Sequence, residues 1–253
     1  MQNYSFSYII GYRHRSDRFN NLKRTLEWIN GFKGVQVILV EQDKHSKISH
    51  LNLPCKHIFV KSKMPYNRSW SFNVGLKYVK SNVVVFGDSD LVMNPTDFIN
   101  GLKSLEQYEM VSPYHSVVDL TPQESSLSIE SIVNIDRPGR GEEDHQKINI
   151  CGGISMFRTD SIRKIGGWSE DFNNGWGGED DFQTIKVQNL ITSFESKAKC
   201  FHLYHDRSPI NQNDYQKMLQ MLQKMSKWSK EEIIRYINNS NQKNGLLNKH
   251  DNY

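Results

Sequence analysis

The sequence lacks the features of a secreted or membrane-spanning chain. No stretch approaches the roughly 20 consecutive apolar residues that a transmembrane helix needs, and residues 1–5 show neither the basic segment nor the apolar run of a signal peptide. The three cysteines, Cys55, Cys151 and Cys200, have the spacing of neither a zinc site nor a disulfide framework. We therefore expect free thiols and a cytoplasmic location.

An excess of charge of one sign is also absent. Lys and Arg number 32 against 28 Asp and Glu, which gives a net charge of +4. This mildly basic balance tolerates an anionic ligand but does not require nucleic acid as a partner. A hydrophobic content of 37% is enough to fill a core, and the 253 residues show no internal repeat and no domain boundary. We expect a single domain.

The most informative stretch that is present lies at residues 83–92. Its first four residues are apolar and predict a strand that is buried on both faces. Gly87 follows, and then the two carboxylates of Asp88 and Asp90. Open α/β sheets place their ligand crevice at the carboxyl ends of such strands, and carboxylate oxygens suit a divalent cation. The alternative is a polar strand exit that caps a helix, because Asp-x-Asp is short and common in loops.

The surrounding pattern predicts an α/β fold with a mainly parallel sheet. Short apolar runs at residues 6–10, 35–40 and 57–60 predict strands, and helices are predicted between the first two strands and at residues 67–80. Residues 119–149 are expected to form a polar surface excursion. Residues 214–237 predict one amphipathic helix, and the chain from residue 238 onward is expected to be frayed.

A second group of unusual residues follows the polar excursion. Gly152 and Gly153 precede an apolar strand, and glycine there allows either a close approach to a ligand or a tight bend. Trp176 lies among glycines, so it can swing on a loop. The acids Glu179, Asp180 and Asp181 then open a helix, where the macrodipole favours negative charge. Three successive acids also repel one another and raise at least one proton affinity, which suits a general base.

Two imidazoles complete the candidate residues. His202 and His205 are three residues apart, and imidazole is a common ligand for ions such as Mn²⁺ and Zn²⁺. A lone histidine is more often a hydrogen-bonded surface residue. These two are treated differently because they could complete a metal site that already has aspartates.

These motifs together resemble the β-1,4-galactosyltransferase superfamily, which includes chondroitin polymerase and polypeptide N-acetylgalactosaminyltransferase catalytic domains. The resemblance runs in order from about Tyr8 to Ser208, and its most specific part is the last motif. The matching segments are Tyr12-Arg13-His14-Arg15, Tyr66-Asn67-Arg68 with Asn73-Val74-Gly75, Asp88-Ser89-Asp90, Gly152-Gly153, and Gly175-Trp176-Gly177-Gly178-Glu179-Asp180-Asp181.

The resemblance implies a GT-A fold, a Rossmann-like α/β sandwich that binds metal and nucleotide at the carboxyl side of its sheet. It divides the chain into a nucleotide-binding half (residues 1–90), an acceptor and metal half (residues 91–212), and a C-terminal amphipathic helix and tail (residues 213–253). It implies a UDP-sugar donor, a glycan, glycolipid or glycoprotein acceptor, and Mn²⁺ as cofactor, with Mg²⁺ as an alternative. Contact with a membrane would be peripheral at most, through the C-terminal helix.

The resemblance also assigns roles to residues. The cation would be held by Asp90 and His205, with Asp88 nearby, and His202 would add a second imidazole that the family does not have. Asp180 would be the base, Glu179 and Asp181 would orient the acceptor, and Trp176 would close over the donor. Other contacts with the donor would come from Gly11, Tyr12, Arg13, Arg15, Arg68, Ile150, Gly152 and Gly153.

Three residues depart from the galactosyltransferase pattern. His202 stands where those enzymes have Met, which favours a different metal preference, and Gly11 stands in place of Pro. Ile150 occupies the position of a Tyr that restricts the 2-substituent of the donor, so UDP-GalNAc is a candidate beside UDP-galactose.

Two other functions stay open. A retaining transferase of the same fold would usually have Asp-x-His and Trp-Gly-Gly-Glu-Asn, so Asp90 and Asp180 count against it. A non-catalytic module that binds sugar nucleotides or glycans would keep the fold without turnover.

Overall fold

The computed structural model describes residues 5–141, 148–150, 152–172, 177–206, 212–240 and 243–249. The strands are β1 (Phe6–Tyr12), β2 (Val35–Asp43), β3 (Lys56–Lys61), β4 (Val83–Gly87), β5 (Leu91–Met93), β6 (Met110–Ser112), β7 (Ser116–Asp119), β8 (Ser155–Arg158), β9 (Ser193–Glu195) and β10 (Lys199–His202). The helices are α1 (Ser16–Asn30), α2 (Arg68–Leu76), α3 (Pro95–Ser104), α4 (Ile129–Ile132), α5 (Thr159–Lys164), α6 (Glu179–Leu190), α7 (Gln212–Met225) and α8 (Lys230–Ser240).

The large sheet has seven strands in the order β3-β2-β1-β4-β8-β6-β9. Strands β3, β2, β1 and β4 are parallel, as are β6 and β9, whereas β8 is antiparallel to both of its neighbours. Residues of β1 and β4 are almost completely buried because apolar clusters pack on both faces. The predicted α/β fold with a mainly parallel sheet is therefore confirmed.

The order of the strands locates a crevice in this sheet. The chain places β2 and β3 on one side of β1 and β4 on the other. The connections that leave the carboxyl ends of β1 and β4 therefore diverge, and ligands of open α/β sheets bind at such a point. Asp88 directly follows β4 at this edge.

A second, three-stranded sheet has the order β5-β10-β7, and the sequence pattern did not predict it. Its strands pair His202 with Leu91 on one side and with Asp119 on the other. The backbone amide of Leu203 donates to the carbonyl of Asp90 (2.8 Å), which extends this pairing by one step. The small sheet thus brings three distant segments of the chain to one place.

The C-terminal region differs from the prediction of one helix over residues 214–237. It forms two helices, α7 and α8, because Ser229 and Glu232 make a capping box that starts a new helix. The Ser229 amide donates to Glu232 Oε2 (2.7 Å), and the Glu232 amide donates to Ser229 Oγ (3.2 Å). No described helix of the chain has both the length and the apolar character that crossing a membrane requires.

The prediction of a frayed tail is wrong for residues 243–249, which dock onto the domain. Their anchor is Glu170, a buried carboxylate that accepts hydrogen bonds from the amide of Gly245 and from Lys249 Nζ. Asn73 Nδ2 of α2 donates to the same carboxylate (2.8 Å). Trp70 Nε1 donates to the carbonyl of Leu246 (2.8 Å). We call residues 243–249 the C-terminal strap.

The buried position of Glu170 makes its partner in the strap important for stability. We expect Lys249→Met to lower the free energy of unfolding by about 2 kcal/mol, because a buried carboxylate loses its charged partner. Urea denaturation measures this change. Lys243→Met, which alters an exposed lysine of the same strap, should change stability by less than about 0.5 kcal/mol. Equal stabilities of the two variants would contradict the assignment.

Candidate active site

The crevice at the carboxyl edge of the large sheet is lined by acids that one arginine links together. Asp88 Oδ1 accepts a hydrogen bond from Arg68 Nε (2.7 Å), and Asp180 Oδ1 accepts one from Arg68 Nη1 (2.7 Å). Glu179 lies further from the same guanidinium, with Oε1 4.0 Å from Nη1. Arg68 therefore joins the end of β4 to the start of α6.

Local structure fixes the position of Arg68. It occupies the first turn of α2, whose N-cap residue Asn67 accepts a hydrogen bond from the amide of Trp70 (2.9 Å). The guanidinium lies over the rings of Phe72 and Trp168, at 4.7 and 5.4 Å from their centroids. In the structure its Nε and Nη1 bind the two carboxylates, and the contact with the nucleotide that the resemblance implies for Arg68 stays a prediction.

Burial and neighbouring charges raise the proton affinity of two of these acids. Burial, together with the charge of Asp180, raises the pKa of Glu179 to about 7. Burial and the charge of Asp88 also raise the pKa of Asp180, although Arg68 opposes the shift. The expectation that successive acids raise at least one pKa agrees with this environment.

The glycine pair shapes the floor of the crevice. Gly152 and Gly153 both have positive φ angles, 78° and 72°. A side chain at Gly153 would overlap the hydroxyl of Tyr114, which donates to the carbonyl of Gly152 (2.9 Å). The amide of Gly153 donates to Asp88 Oδ2 (3.1 Å). Of the two readings of this pair, the tight bend is therefore observed, and it holds Asp88.

The predicted metal ligands converge. Asp90, His202 and His205 each offer one ligand atom, and these atoms lie within 4.8 Å of one another. His205 Nε2 is 3.2 Å from Asp90 Oδ2, and His202 Nε2 is 3.9 Å from Asp90 Oδ1. The pairing of β5 with β10 explains this proximity, because it sets His202 opposite the residue that follows Asp90.

The Nδ1 atom of each imidazole already has a hydrogen-bond partner, which leaves the Nε2 atoms to bind a cation. His205 Nδ1 donates to the backbone carbonyl of Asp206 (2.9 Å), and His202 Nδ1 pairs with Asp119 Oδ1 (2.9 Å). Both Nε2 atoms are thereby directed at Asp90 and lie 3.2 Å apart. Lone pairs that face each other and a carboxylate repel unless a positive charge lies between them. The donor set therefore fits a divalent metal, with outer partners that orient both imidazoles.

The same contacts shift the protonation of the group. Burial raises the pKa of Asp90, but the hydrogen bond from His205 and the charges of both imidazoles together hold it below the usual range. The hydrogen bond to Asp90 raises the pKa of His205. Protons and a metal ion therefore compete for one position.

Four further predicted residues lie at the end of β1 or directly after it. Gly11 is buried, and a side chain there would meet the hydroxyl of Tyr66. Tyr12 is a core residue, only 2% exposed. Arg13 donates hydrogen bonds to two backbone carbonyls. Arg15 forms a bidentate salt bridge with Asp17, from Nε to Oδ1 (3.0 Å) and from Nη2 to Oδ2 (2.8 Å). Donor binding by these side chains stays a prediction.

The remaining predicted residues lie near α6. Ile150 is buried in the core, and its amide donates to Thr184 Oγ1 (2.9 Å). Asp181 is exposed and lines a pocket of about 560 Å³ between α6 and α7, which Met218 and Leu222 also line. Trp176 lies outside the described residues, as do Gly175 and Cys151.

Sequence reasoning missed Asp119 and Tyr114. Asp119 was interpreted as the start of a polar excursion, but it ends β7 and holds an imidazole. No local pattern marks either residue, because their roles follow from the pairing of strands and from a contact across the crevice.

Comparisons with known proteins agree with this architecture. Residues 143–206 match the model of a family described as the N-terminal domain of galactosyltransferase. No curated protein matches the sequence significantly.

Several solved structures share the fold. S. aureus TarS in complex with UDP-GlcNAc has a TM-score of 0.59 at 12% identity, over 93% of this chain and 72% of that one. A variant of Drosophila β-1,4-galactosyltransferase 7 with manganese, UDP-Gal and xylobiose has a TM-score of 0.53 at 15% identity, over 84% and 79%. GalNAc-T7 with UDP, GalNAc and Mn²⁺ has a TM-score of 0.59 at 13% identity, over 86% and 48%.

The chain therefore has the fold of the GT-A glycosyltransferases. The match to the galactosyltransferase family model covers residues 143–206 only, and the similarities to solved structures, at 12–15% identity, are similarities of fold.

The role of Asp119 can be tested by metal binding. We expect Asp119→Asn to weaken Mn²⁺ binding by about 10-fold or more, because His202 loses the carboxylate that orients it. Titration with Mn²⁺, followed by electron paramagnetic resonance, measures the affinity. Asp136→Asn, in a carboxylate whose side chain is 98% exposed, is the matched control and should bind as the wild type does. Unchanged affinity in Asp119→Asn would contradict the assignment.

Proposed function

We propose that this chain is a metal-dependent, inverting glycosyltransferase that moves galactose or N-acetylgalactosamine from a UDP-sugar to a hydroxyl of a glycan acceptor. One observation carries the proposal. The group of Asp90, His202 and His205 lies at the same edge of the fold as the acids that Arg68 links, within a GT-A architecture. A cation site beside a carboxylate of raised pKa is what a transfer from a nucleotide diphosphate requires.

The metal site would serve the leaving group. A divalent ion held by Asp90, His202 and His205 would supply positive charge to the diphosphate as the sugar–phosphate bond breaks. Mn²⁺ is favoured over Mg²⁺ because Mg²⁺ prefers oxygen ligands and two of the donors here are imidazoles, and because Mn²⁺ or manganese is present in the structures of GalNAc-T7 and of the Drosophila enzyme.

Asp180 would act on the acceptor. Its carboxylate takes the proton of the attacking hydroxyl while the acceptor oxygen bonds to the anomeric carbon and the bond to the UDP oxygen breaks. Attack from the face opposite the leaving group inverts the anomeric centre. Arg68 holds Asp180 in place, and the partial burial of this carboxylate makes it a stronger base than a fully exposed one.

The donor and acceptor are inferred from position. By the resemblance, Ile150 stands at the position of a tyrosine that restricts the 2-substituent of the donor, and its smaller side chain would leave space for an N-acetyl group. TarS and GalNAc-T7 are similar proteins whose structures contain such sugars. The pocket beside Asp181 would receive the acceptor, because it opens next to the start of α6.

The roles of base and metal ligand predict different losses. We expect Asp180→Asn to bind UDP as the wild type does and to transfer sugar at least about 100-fold more slowly, because only proton removal is lost. Asp90→Ala should lose Mn²⁺-dependent binding of UDP as well. Calorimetry measures binding, and UDP release with a panel of UDP-sugars and acceptors measures transfer.

Asp160→Asn, in an exposed carboxylate of α5, is the control for both measurements. A wild-type rate of sugar transfer in Asp180→Asn would contradict the assignment of Asp180 as the base. If NMR shows that the product keeps the anomeric configuration of the donor, the inverting mechanism is contradicted.

The pH dependence of transfer should follow the charges around Asp180. Arg68 lowers the pKa of Asp180, whereas burial and Asp88 raise it. Transfer needs the ionised carboxylate, so activity falls as the pH drops through that pKa. Removal of the positive charge in Arg68→Met should therefore move the acid limb of the pH–rate profile to higher pH, and Arg68→Lys should move it less. An unchanged limb in a folded Arg68→Met variant would count against Asp180 as the base.

A further inference from the structure

One face of helix α1 lies against the segments that carry the metal ligands. Asn21 Nδ2 donates to the carbonyl of Tyr204 (2.9 Å), which is next to His205. Thr25 Oγ1 donates to the carbonyl of Leu91 (3.4 Å), which is next to Asp90. Residues three or four apart share one face of a helix.

Arg18 lies on the same face, one turn closer to the start of α1. This face of α1 is the one that contacts the residues next to His205 and Asp90, so the Arg18 side chain starts on the metal side of the helix. Its charge also lowers the pKa of both Asp90 and His205. Arg18 Nε is buried and has no hydrogen-bond partner among the described residues, and the guanidinium forms no ion pair with a described carboxylate. A half-buried arginine without a partner is unfavourable on its own.

A cation bound nearby makes the charge of Arg18 still less favourable. A guanidinium is always charged, so a divalent ion and Arg18 together carry more positive charge than the carboxylate of Asp90 balances. Asp119 lies behind His202 and is already paired with Arg140 (3.0 Å). An anion that both the metal ion and Arg18 contact would remove the repulsion, and phosphate oxygens match the planar donors of arginine.

We propose that Arg18 is a substrate-binding residue that contacts the diphosphate of the sugar nucleotide, on the α1 side of the metal site. The inference rests on the proposed function, because it needs a nucleoside diphosphate in the crevice. It adds a residue that the motif Tyr12-Arg13-His14-Arg15 does not include.

Binding of nucleotide fragments tests the assignment without any acceptor. Calorimetry with Mn²⁺ compares UDP, UMP and uridine on the full chain. We expect Arg18→Met to weaken UDP binding by about 10- to 100-fold, as is typical for the loss of a charge-assisted hydrogen bond. Uridine binding should be unchanged, and Arg18→Lys should recover part of the loss. Lys23→Met, an exposed lysine of the same helix, should bind UDP as the wild type does.

Stability without ligand distinguishes a binding role from a structural one. Because Arg18 has no described partner, Arg18→Met should unfold at the wild-type temperature or above it when no nucleotide is present. Wild-type affinity for UDP in Arg18→Met, or an equal loss for UDP and uridine, would overturn the inference while the proposed function stands. A wild-type chain that does not bind UDP with Mn²⁺ would overturn both.

Discussion

The interaction on which the candidate site depends is the pair of salt bridges made by Arg68. Asp88 and Asp180 come from segments far apart in the sequence, and their charges would repel each other without a cation between them. Arg68 is able to serve both because two aromatic rings fix its plane. One of these rings belongs to Trp168, whose backbone amide donates to Asn73 Oδ1 (2.8 Å). The crevice therefore relies on packing well behind it.

Each of the two sheets positions a different part of the candidate site. The large sheet places Asp88 where the strand order reverses, and the small sheet sets His202 beside Asp90 through backbone pairing. Only Ser89 separates the two aspartates, so each faces a different partner: Asp88 binds Arg68, and Asp90 faces imidazoles. A short Asp-x-Asp motif thus joins the proposed acceptor-activating acids to the proposed cation site with little freedom between them.

The sequence predicts those parts of the fold that have a long periodic signal. The buried run that ends at Asp88 and the apolar face of α1 are of this kind, so the parallel sheet was predictable. The small sheet was not, because strands of three or four residues show no periodicity. The candidate ligands His202 and His205 were recognisable from spacing and resemblance. Asp119 and Arg18 were not, since their roles arise only when distant backbone segments pair.

The C-terminal strap affects the order in which regions of the chain can fold during synthesis. Glu170 is covered by Gly245 and Lys249, so this region of the core is incomplete until residues 243–249 have left the ribosome. The amino-terminal half can form its sheet earlier during synthesis. A nascent intermediate would therefore carry a formed β1–β4 sheet beside an uncovered carboxylate and indole. Such a species exposes polar groups of Glu170 and Trp70 that the finished protein covers with its C-terminal strap.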